Sequence, residues 1–381
     1  MRELSRFDAV NLQLEFGILG KETRDIRRRL TWLSAAAPRL SVTFHTVRQP
    51  EGFSYGDFFR RVGALKFRIA AGIVLAYQRN RQLSIGVARM LSRIAKRKPV
   101  SAIVHNRRDA SDFRHAYGLE RVFDHPLAFH SSAEAAAVVH KATRQRSPLL
   151  DNLPADAKLI GVFGFLNDYK GFGTAIRSLY HLPNTHHLLI FGGIHPNDIA
   201  PHRQIHPYLM SLLDDAHVDA RLGETRNNRA SRQAGRRASN PRDLSARLRF
   251  MGTPEDDDFL TGMAICDAVV FPYLEVGQSA SGPISQAVEL GRRIIASRTR
   301  TFLEFAAYHP ETIEFFDIGN HLELAARILA RPQYETIARE PRYSVESNKA
   351  IYHAANSAPT AETTQFQRRA KTLPTREREV G

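Results

Sequence analysis

The sequence predicts an α/β protein with two Rossmann-like domains, and three observations carry that expectation. Short apolar runs rich in β-branched residues recur along the 381-residue chain, separated by segments of helical spacing, which is the pattern of parallel βαβ units. A stretch rich in Pro, Asp and Asn, SPLLDNLPADAK at 147–158, parts an earlier group of these runs from a later one. In the later group the strand-like runs empty into loops of glycine and small polar residues, as strands do beneath a ligand in an open parallel sheet. The expected division is an N-terminal domain over 1–146, a linker over 147–158, a C-terminal domain over 159–335, and a helix with a polar tail over 336–381.

The elements follow in order. FDAVNLQL at 7–14 and LSVTFHTV at 40–47 are predicted strands on either side of a helix from Thr23 to Leu33. Residues 57–96 read as one or two amphipathic helices, with Phe58, Val62, Leu65 and Ile69 on one stripe and Arg60, Arg61, Lys66 and Arg68 off it. VSAIVH at 100–105, a helix containing Phe113 and His115, and RVFDHPLAF at 121–129 complete the first group. In the second group the strands are LIGVFGFL at 159–166, HHLLIFGG at 186–193, RLRFMG at 247–252, DAVVFPY at 267–273 and RRIIAS at 292–297. Helices are expected from Gly173, over 204–214, from Asp256, from Gly282, and near 301–307 and 319–331. Residues 223–246 have almost no apolar side chains and read as a surface insertion.

A formal charge of +15 favours anionic partners in general. The cations cluster at Arg27–Arg29, over 60–98, over 226–249 and in the tail, where solvated faces are the plain explanation. The stretch from Arg60 to Lys98 also suits peripheral contact with an anionic membrane, although a core-facing pair of helices is the preferred reading. A nucleic-acid partner is not expected, because there is no helix-turn-helix, finger or aromatic-rich RNA motif, and Trp32 is the sole tryptophan. No apolar run approaches the roughly 20 residues of a membrane span, and MRELSRFDAV lacks an apolar signal core. Cys266 stands alone, so a cytoplasmic protein is the expectation, with a place on the membrane's inner face as its peripheral variant. His186, His187, His195, His202 and His206 lack ligand spacing, and the run from Glu255 to Asp258 suits the first turn of a helix, so neither a metal nor another cofactor is expected.

The chemistry-bearing residues gather at three strand ends: Gly164 to Gly171, Gly192-Gly193, and Glu275 to Gly282. Parallel strands deliver such loops to one edge, where glycines admit a ligand to the backbone and following helices offer N–H groups to phosphate. Lys170 adds a point charge suited to a diphosphate. Ser279, Ser281 and Gly282 precede a helix, where hydroxyl and N–H groups can receive phosphate oxygens. The bland alternatives are that Gly171 and Gly193 only shape turns and that Ser281 only caps a helix.

FGFLNDYKGFGTAI at 163–176 resembles the strand–loop–Lys-Gly–helix segment of retaining GT-B glycosyltransferases of the family 4 type. FMGTPEDDDFLTGMAICDAVVFPY at 250–273 and QAVELGRRIIAS at 286–297 resemble the segments that follow it there, in the same order. The resemblance covers about residues 159–331 well and the first half loosely. It implies two Rossmann-like domains facing each other across a cleft. It also implies transfer of a sugar from a nucleoside-diphosphate-sugar donor to a hydroxyl of a glycan or lipid-linked acceptor, with retention and of hexosyltransferase type, in polysaccharide or glycolipid synthesis. Carried over by position, Lys170 binds the donor diphosphate within the loop bounded by Gly164 and Gly171, while Gly252 and Thr253 lie near the base. Glu275 lies near the sugar or ribose, Ser281 and Gly282 contact phosphate, and Gln286 can hydrogen-bond sugar hydroxyls. In the first half VTFHTV resembles the strand that carries a catalytically important histidine, which points to His45, with Glu15 a further candidate at the preceding strand end. His45 can equally be a satisfied structural histidine, and structural roles are favoured for His105 and His125.

The departures from the pattern are specific. Gln278 and Gln286 stand where many relatives carry two glutamates, and Phe165 or Asn167 stands where an arginine often precedes the lysine. The chain also begins at the strand that usually follows a first strand, glycine-rich loop and helix. A catalytically degenerate glycosyltransferase-like subunit is therefore the second reading, and a basic nucleic-acid-binding protein the third.

Overall fold

The structure, a computed structural model, describes residues 3–20, 22–144, 153–194, 205–217, 243–275, 279–334 and 343–357. The expectations for 147–152, for 223–242, for the tail beyond 357, and for His195, His202 and Gln278 lie outside the described residues. The chain divides into two units, Met1–Pro126 with Glu346–Gly381, and Leu127–Val345.

The first unit is built on a parallel sheet in sequential order: β1 (Val10–Leu14), β2 (Leu40–Phe44), β3 (Val100–Val104) and β4 (Val122–Asp124). Every residue of β2 and β3 is buried, as in a parallel sheet covered on both faces, and the polar side chains among them are satisfied: Ser41 Oγ donates to Asn356 Oδ1 at 2.9 Å and Thr43 Oγ1 to Asn11 Oδ1 at 3.4 Å. The Thr23–Ala36 helix covers one face through Ile26, Leu30 and Ser34, a spacing of four that keeps them on one stripe. The Val345–Asn356 helix also joins this unit. Ala355 packs with Ile103 and Phe123, and Ser101 Oγ donates to the Ala355 carbonyl at 2.7 Å.

The 55–95 region differs from the preferred sequence reading. It forms three helices, Tyr55–Gly63, Phe67–Leu83 and Ile85–Ala95, and of these the last faces the core, through Val87, Ala88 and Leu91. The Tyr55–Gly63 helix buries none of its residues. The predicted stripe of Phe58, Val62, Leu65 and Ile69 breaks because the first helix ends at Gly63 and Leu65 turns the chain at φ 55°.

The second unit holds a six-stranded parallel sheet. Its strands are β5 (Lys158–Phe163), β6 (His186–Phe191), β7 (Leu248–Gly252), β8 (Ala268–Phe271), β9 (Ile294–Ser297) and β10 (Ile313–Phe316). The order is β10-β9-β8-β5-β6-β7, so the chain winds one way from β5 through β7 and the other way from β8. Alternate residues feed two cores: Ile160, Val162, Leu188 and Ile190 pack with Phe172 and Ile176, while Leu159, Phe163, Leu189 and Phe191 pack with Met263 and Ile284. Residues 127–144 belong here rather than to the first unit, which moves the expected boundary at 146. The Ser132–Arg144 helix puts Ala135 into the core beside Leu159 and Met263, a contact that the polar look of the segment hides.

Strand β10 has no counterpart among the predicted strands. It is four residues long and held from outside by a charge: Arg293 meets Glu314 through two N–O contacts of 2.8 and 3.0 Å and also donates to the Arg327 carbonyl at 2.7 Å. Glu314 is 3% exposed, so removing its carboxylate strands a buried guanidinium. Glu314→Ala is expected to lower stability by about 3 kcal/mol, read from the urea unfolding midpoint. A loss under about 1 kcal/mol would show that the pair behaves as a surface contact.

Candidate functional site

The order of the second sheet reverses at β5 and β8, so the loops that leave their carboxyl ends open a crevice on that edge. The loop after β5 contains Gly164, Lys170 and Gly171, and the loop after β8 contains Tyr273 and leads to Ser281. These loops touch. Gly171 sits in the left-handed region at φ 67°, and a Cβ there would overlap the Pro272 carbonyl oxygen, so two constraints ask for glycine. The Leu274 N–H donates to the Tyr169 carbonyl at 2.7 Å and closes the same contact.

Lys170 is 6% exposed. Its side chain runs over Gly164, where a Cβ would lie 3.3 Å from Nζ. The ammonium donates to the Tyr273 hydroxyl and stands 4.0 Å from the centre of that ring. The Tyr273 hydroxyl is in turn 3.1 Å from Ser281 Oγ. Among the described residues no carboxylate pairs with Lys170, and burial lowers its pKa below the ordinary lysine range, with Tyr169 pulling the other way. Burial raises the Tyr273 phenol, which keeps it neutral. A buried cation thus points into an edge of the sheet with neutral oxygens and aromatic faces as its company.

Ser281 precedes the Gly282–Glu289 helix, but its hydroxyl is turned to Tyr273 and does not cap the helix. Pro283 occupies the first turn and brings no N–H, which leaves the N–H groups of Gly282 and Ile284 at that end. Gly282 stands against Phe129, 3.4 Å from where its Cβ would be, and Gln286 is half-buried on the same helix. The third loop adjoins through the neighbouring strands. Gly192 bridges to Gly252, a Cβ on Gly192 would overlap the Gly164 carbonyl, and a Cβ on Gly193 would overlap Thr253 Oγ1. Gly252, at φ 71°, and Thr253 are exposed there. The structure therefore brings Gly164, Lys170, Gly171, Gly252, Thr253, Ser281 and Gly282 to one edge. Glu275 is exposed, and its carboxylate accepts from the Arg300 N–H at 2.6 Å, at the start of the Arg300–Ala306 helix. The run from Glu255 to Asp258 starts the Asp256–Ile265 helix as expected, and among the described residues no group of three or more His, Cys, Asp or Glu side chains is placed to hold a metal.

His45 belongs to the first unit, at the end of β2. Its Nε2 lies 2.7 Å from Gln13 Oε1, and its ring is 5.6 Å from the ring of His105, at the end of β3. His105 Nδ1 donates to the His125 carbonyl at 3.0 Å, which leaves Nε2 as a buried lone pair without a partner. Burial holds the His105 pKa down, at about 4, so the ring is neutral near pH 7. His125 is held by Ser347 Oγ at 2.7 Å, and Thr46 Oγ1 donates to Glu15 at 3.4 Å. Sequence reasoning missed Tyr273 and the orphaned nitrogen of His105. Tyr273 carried a signal, since it ends a strand whose loop faces the Lys170 loop, whereas a missing partner is visible only in three dimensions.

No family model and no curated protein matches the sequence. Solved structures do. HepE of Anabaena in complex with UDP is 17% identical with a TM-score of 0.56, over 97% of this chain and 80% of that one. The same protein with UDP-glucose gives 17% and 0.54, over 93% and 80%. An α,α-trehalose-phosphate synthase (UDP-forming) from Burkholderia xenovorans, in complex with glucose-6-phosphate, gives 11% and 0.53, over 95% and 74%. The likeness establishes the fold of two Rossmann-like domains called GT-B.

Tyr273→Phe tests the geometry around Lys170. It removes the oxygen that accepts from a buried ammonium, at an expected cost of about 1–3 kcal/mol near pH 7. The lysine pKa is lowered in the folded state, so the unfolded chain binds more protons between the two values. Both proteins share the unfolded value, so the extra destabilisation should be full where the folded lysine is charged and should shrink as pH rises to its lowered folded value, measured by urea titrations that begin near pH 7. A pH-independent difference would mean that the hydroxyl does not serve the ammonium.

Proposed function

We propose that the chain is a glycosyltransferase that binds a nucleoside-diphosphate sugar at the carboxyl edge of the second sheet and transfers the sugar to an acceptor hydroxyl. The observation that carries the reading is the buried ammonium of Lys170, with no carboxylate partner among the described residues, at the point where strand order reverses. Holding a cation out of water without a counter-ion is unfavourable unless a ligand supplies the charge. A diphosphate fits, because the Gly282–Glu289 helix start and the glycine-edged loops offer N–H groups beside the same lysine. Lys170 and those N–H groups then offset the charge that grows on the leaving diphosphate, and no step needs a metal. Gly252 and Thr253 flank the base, and Gln286 hydrogen-bonds sugar or ribose. Glu275 reaches the sugar only by leaving the Arg300 N–H.

UDP is the first base to try, because HepE was solved with UDP and with UDP-glucose. Retention of configuration, a hexosyl donor, a glycan or lipid-linked acceptor, and a cytoplasmic place in polysaccharide or glycolipid synthesis belong to the same proposal. His45 is the catalytic candidate of the first unit, with a neutral His105 beside it.

Calorimetric titration with UDP, GDP and ADP is the first experiment. Selective binding that Lys170→Ala weakens by about 100-fold is expected, and binding that survives the substitution would remove Lys170 from the site. Binding should draw protons, because an anion restores the lysine pKa that burial lowered, and affinity should fall as pH rises through the lowered value. His45→Ala should reduce turnover by about 100-fold and leave nucleotide affinity unchanged. Nucleotide binding with no donor hydrolysis or transfer in the parent would instead favour the degenerate-subunit reading, to which Gln286 already points.

A further inference from the structure

The hairpin formed by the Tyr55–Gly63 and Phe67–Leu83 helices presents apolar side chains to the outside. The first helix buries nothing, and the second buries only Ala70 and Leu83. Phe59 is 65% exposed, Leu65 75%, Phe67 59% and Ile69 49%, all within eleven residues of the turn. Leu65 forms that turn with a positive φ of 55°, a region that disfavours every L-residue with a Cβ. Its side chain gains no packing in the described structure for that strain.

The charge around this patch has one sign. Between Asp57 and Asp109 the sequence contains no carboxylate, and Asp57 itself is taken by Arg60 and Arg61. Lys66 and Arg68 alternate with Leu65, Phe67 and Ile69 and have no acidic partner among the described residues. Cations threaded through an apolar patch suit a surface that is anionic at one depth and hydrocarbon a few ångströms deeper. The long basic stems can lie along the apolar layer while their heads stay in water. An apolar protein surface would leave these cations desolvated and unpaired.

We propose that this hairpin docks the first unit onto an anionic lipid leaflet, with Phe59, Leu65, Phe67 and Ile69 entering the interface and Lys66 and Arg68 at the headgroup phosphates. The surface lies wholly within the first unit, so the proposal stands apart from the nucleotide site and is read without any activity measurement.

The experiment is sedimentation of the full chain with phosphatidylcholine vesicles, with and without phosphatidylglycerol. Binding at least about tenfold tighter to the anionic vesicles is expected, weakening as salt rises. Leu65→Ser with Phe67→Ser, and separately Lys66→Glu with Arg68→Glu, should each lower that binding about tenfold or more. Both pairs are exposed, so circular dichroism melts should match the parent and exclude misfolding. A Leu65→Trp variant should show blue-shifted emission with anionic vesicles. No binding to either vesicle overturns the proposal, as does binding that both double variants retain. A parent that ignores vesicles but self-associates, and becomes monomeric with Leu65→Ser and Phe67→Ser, also overturns it and assigns the patch to a second copy.

Discussion

An ammonium buried with no carboxylate partner among the described residues is the constraint around which the second unit is arranged. The Lys170 ammonium donates to the Tyr273 hydroxyl, and Tyr169 adds a second favourable contact. Tyr273 can serve because its own place is fixed three times: by Ser281 at its hydroxyl, by the Phe302 ring at 4.9 Å, and by Ser297 Oγ donating to its carbonyl at 2.6 Å. Gly164 leaves room for the lysine stem, and Gly171 lets the loop lie against Pro272. Remove any of these and the cation loses either its path or its partner. Such an arrangement is expensive in an empty protein and makes sense as a site prepared for an anion, since preorganised charge need not reorganise when a ligand arrives.

The sheet order turns that local arrangement into a candidate site. Had β8 followed β7 at the sheet edge, the loops after β5 and β8 would be separated by the width of several strands, roughly 4.8 Å each. Because β8 pairs with β5 instead, the lysine and the tyrosine meet as neighbours. The crossover that carries the chain back from β7 to β8 includes the Asp256–Ile265 helix, whose Leu260 and Met263 fill one face of the sheet. The packing of the sheet and the candidate site are thus set by one topological choice.

What was legible in the sequence follows from the same physics. Parallel strands buried over nearly their whole length, such as β2, β3, β5 and β6, are short runs rich in apolar and β-branched residues, and each was readable within a few residues. The loop glycines were readable too, because positive φ and close backbone approach leave few other choices, as at Gly171. Strand β10 was not, since four residues without alternation after a His-Pro pair carry little periodic signal, and Arg293, just before β9, secures it. Neither was the return of the Val345–Asn356 helix to the first sheet, which rests on a few small contacts far apart in sequence, such as Ser41 with Asn356. The stripe through Phe58, Val62, Leu65 and Ile69 misled because apolar spacing presumes one continuous helix, whereas the chain turns at Leu65 between two helices, and spacing does not state whether a face meets a core.

The same distinction applies to charge. A total of +15 describes how the chain behaves at long range, but the cations act in separate ways once the fold is known. Arg293 is consumed by Glu314 and three backbone carbonyls, so it belongs to the structure of β9 and β10. Lys170 is held out of water and is worth most to an anion that comes to it, because low dielectric magnifies its field. Lys66 and Arg68 remain in solvent, where a single pairing is weak, and only a surface that offers many anions at once beside an apolar layer can use them together. Whether a cation has a carboxylate partner in the described structure, and not the count of basic residues, therefore separates the cations that build the fold from those that suit a ligand or a surface.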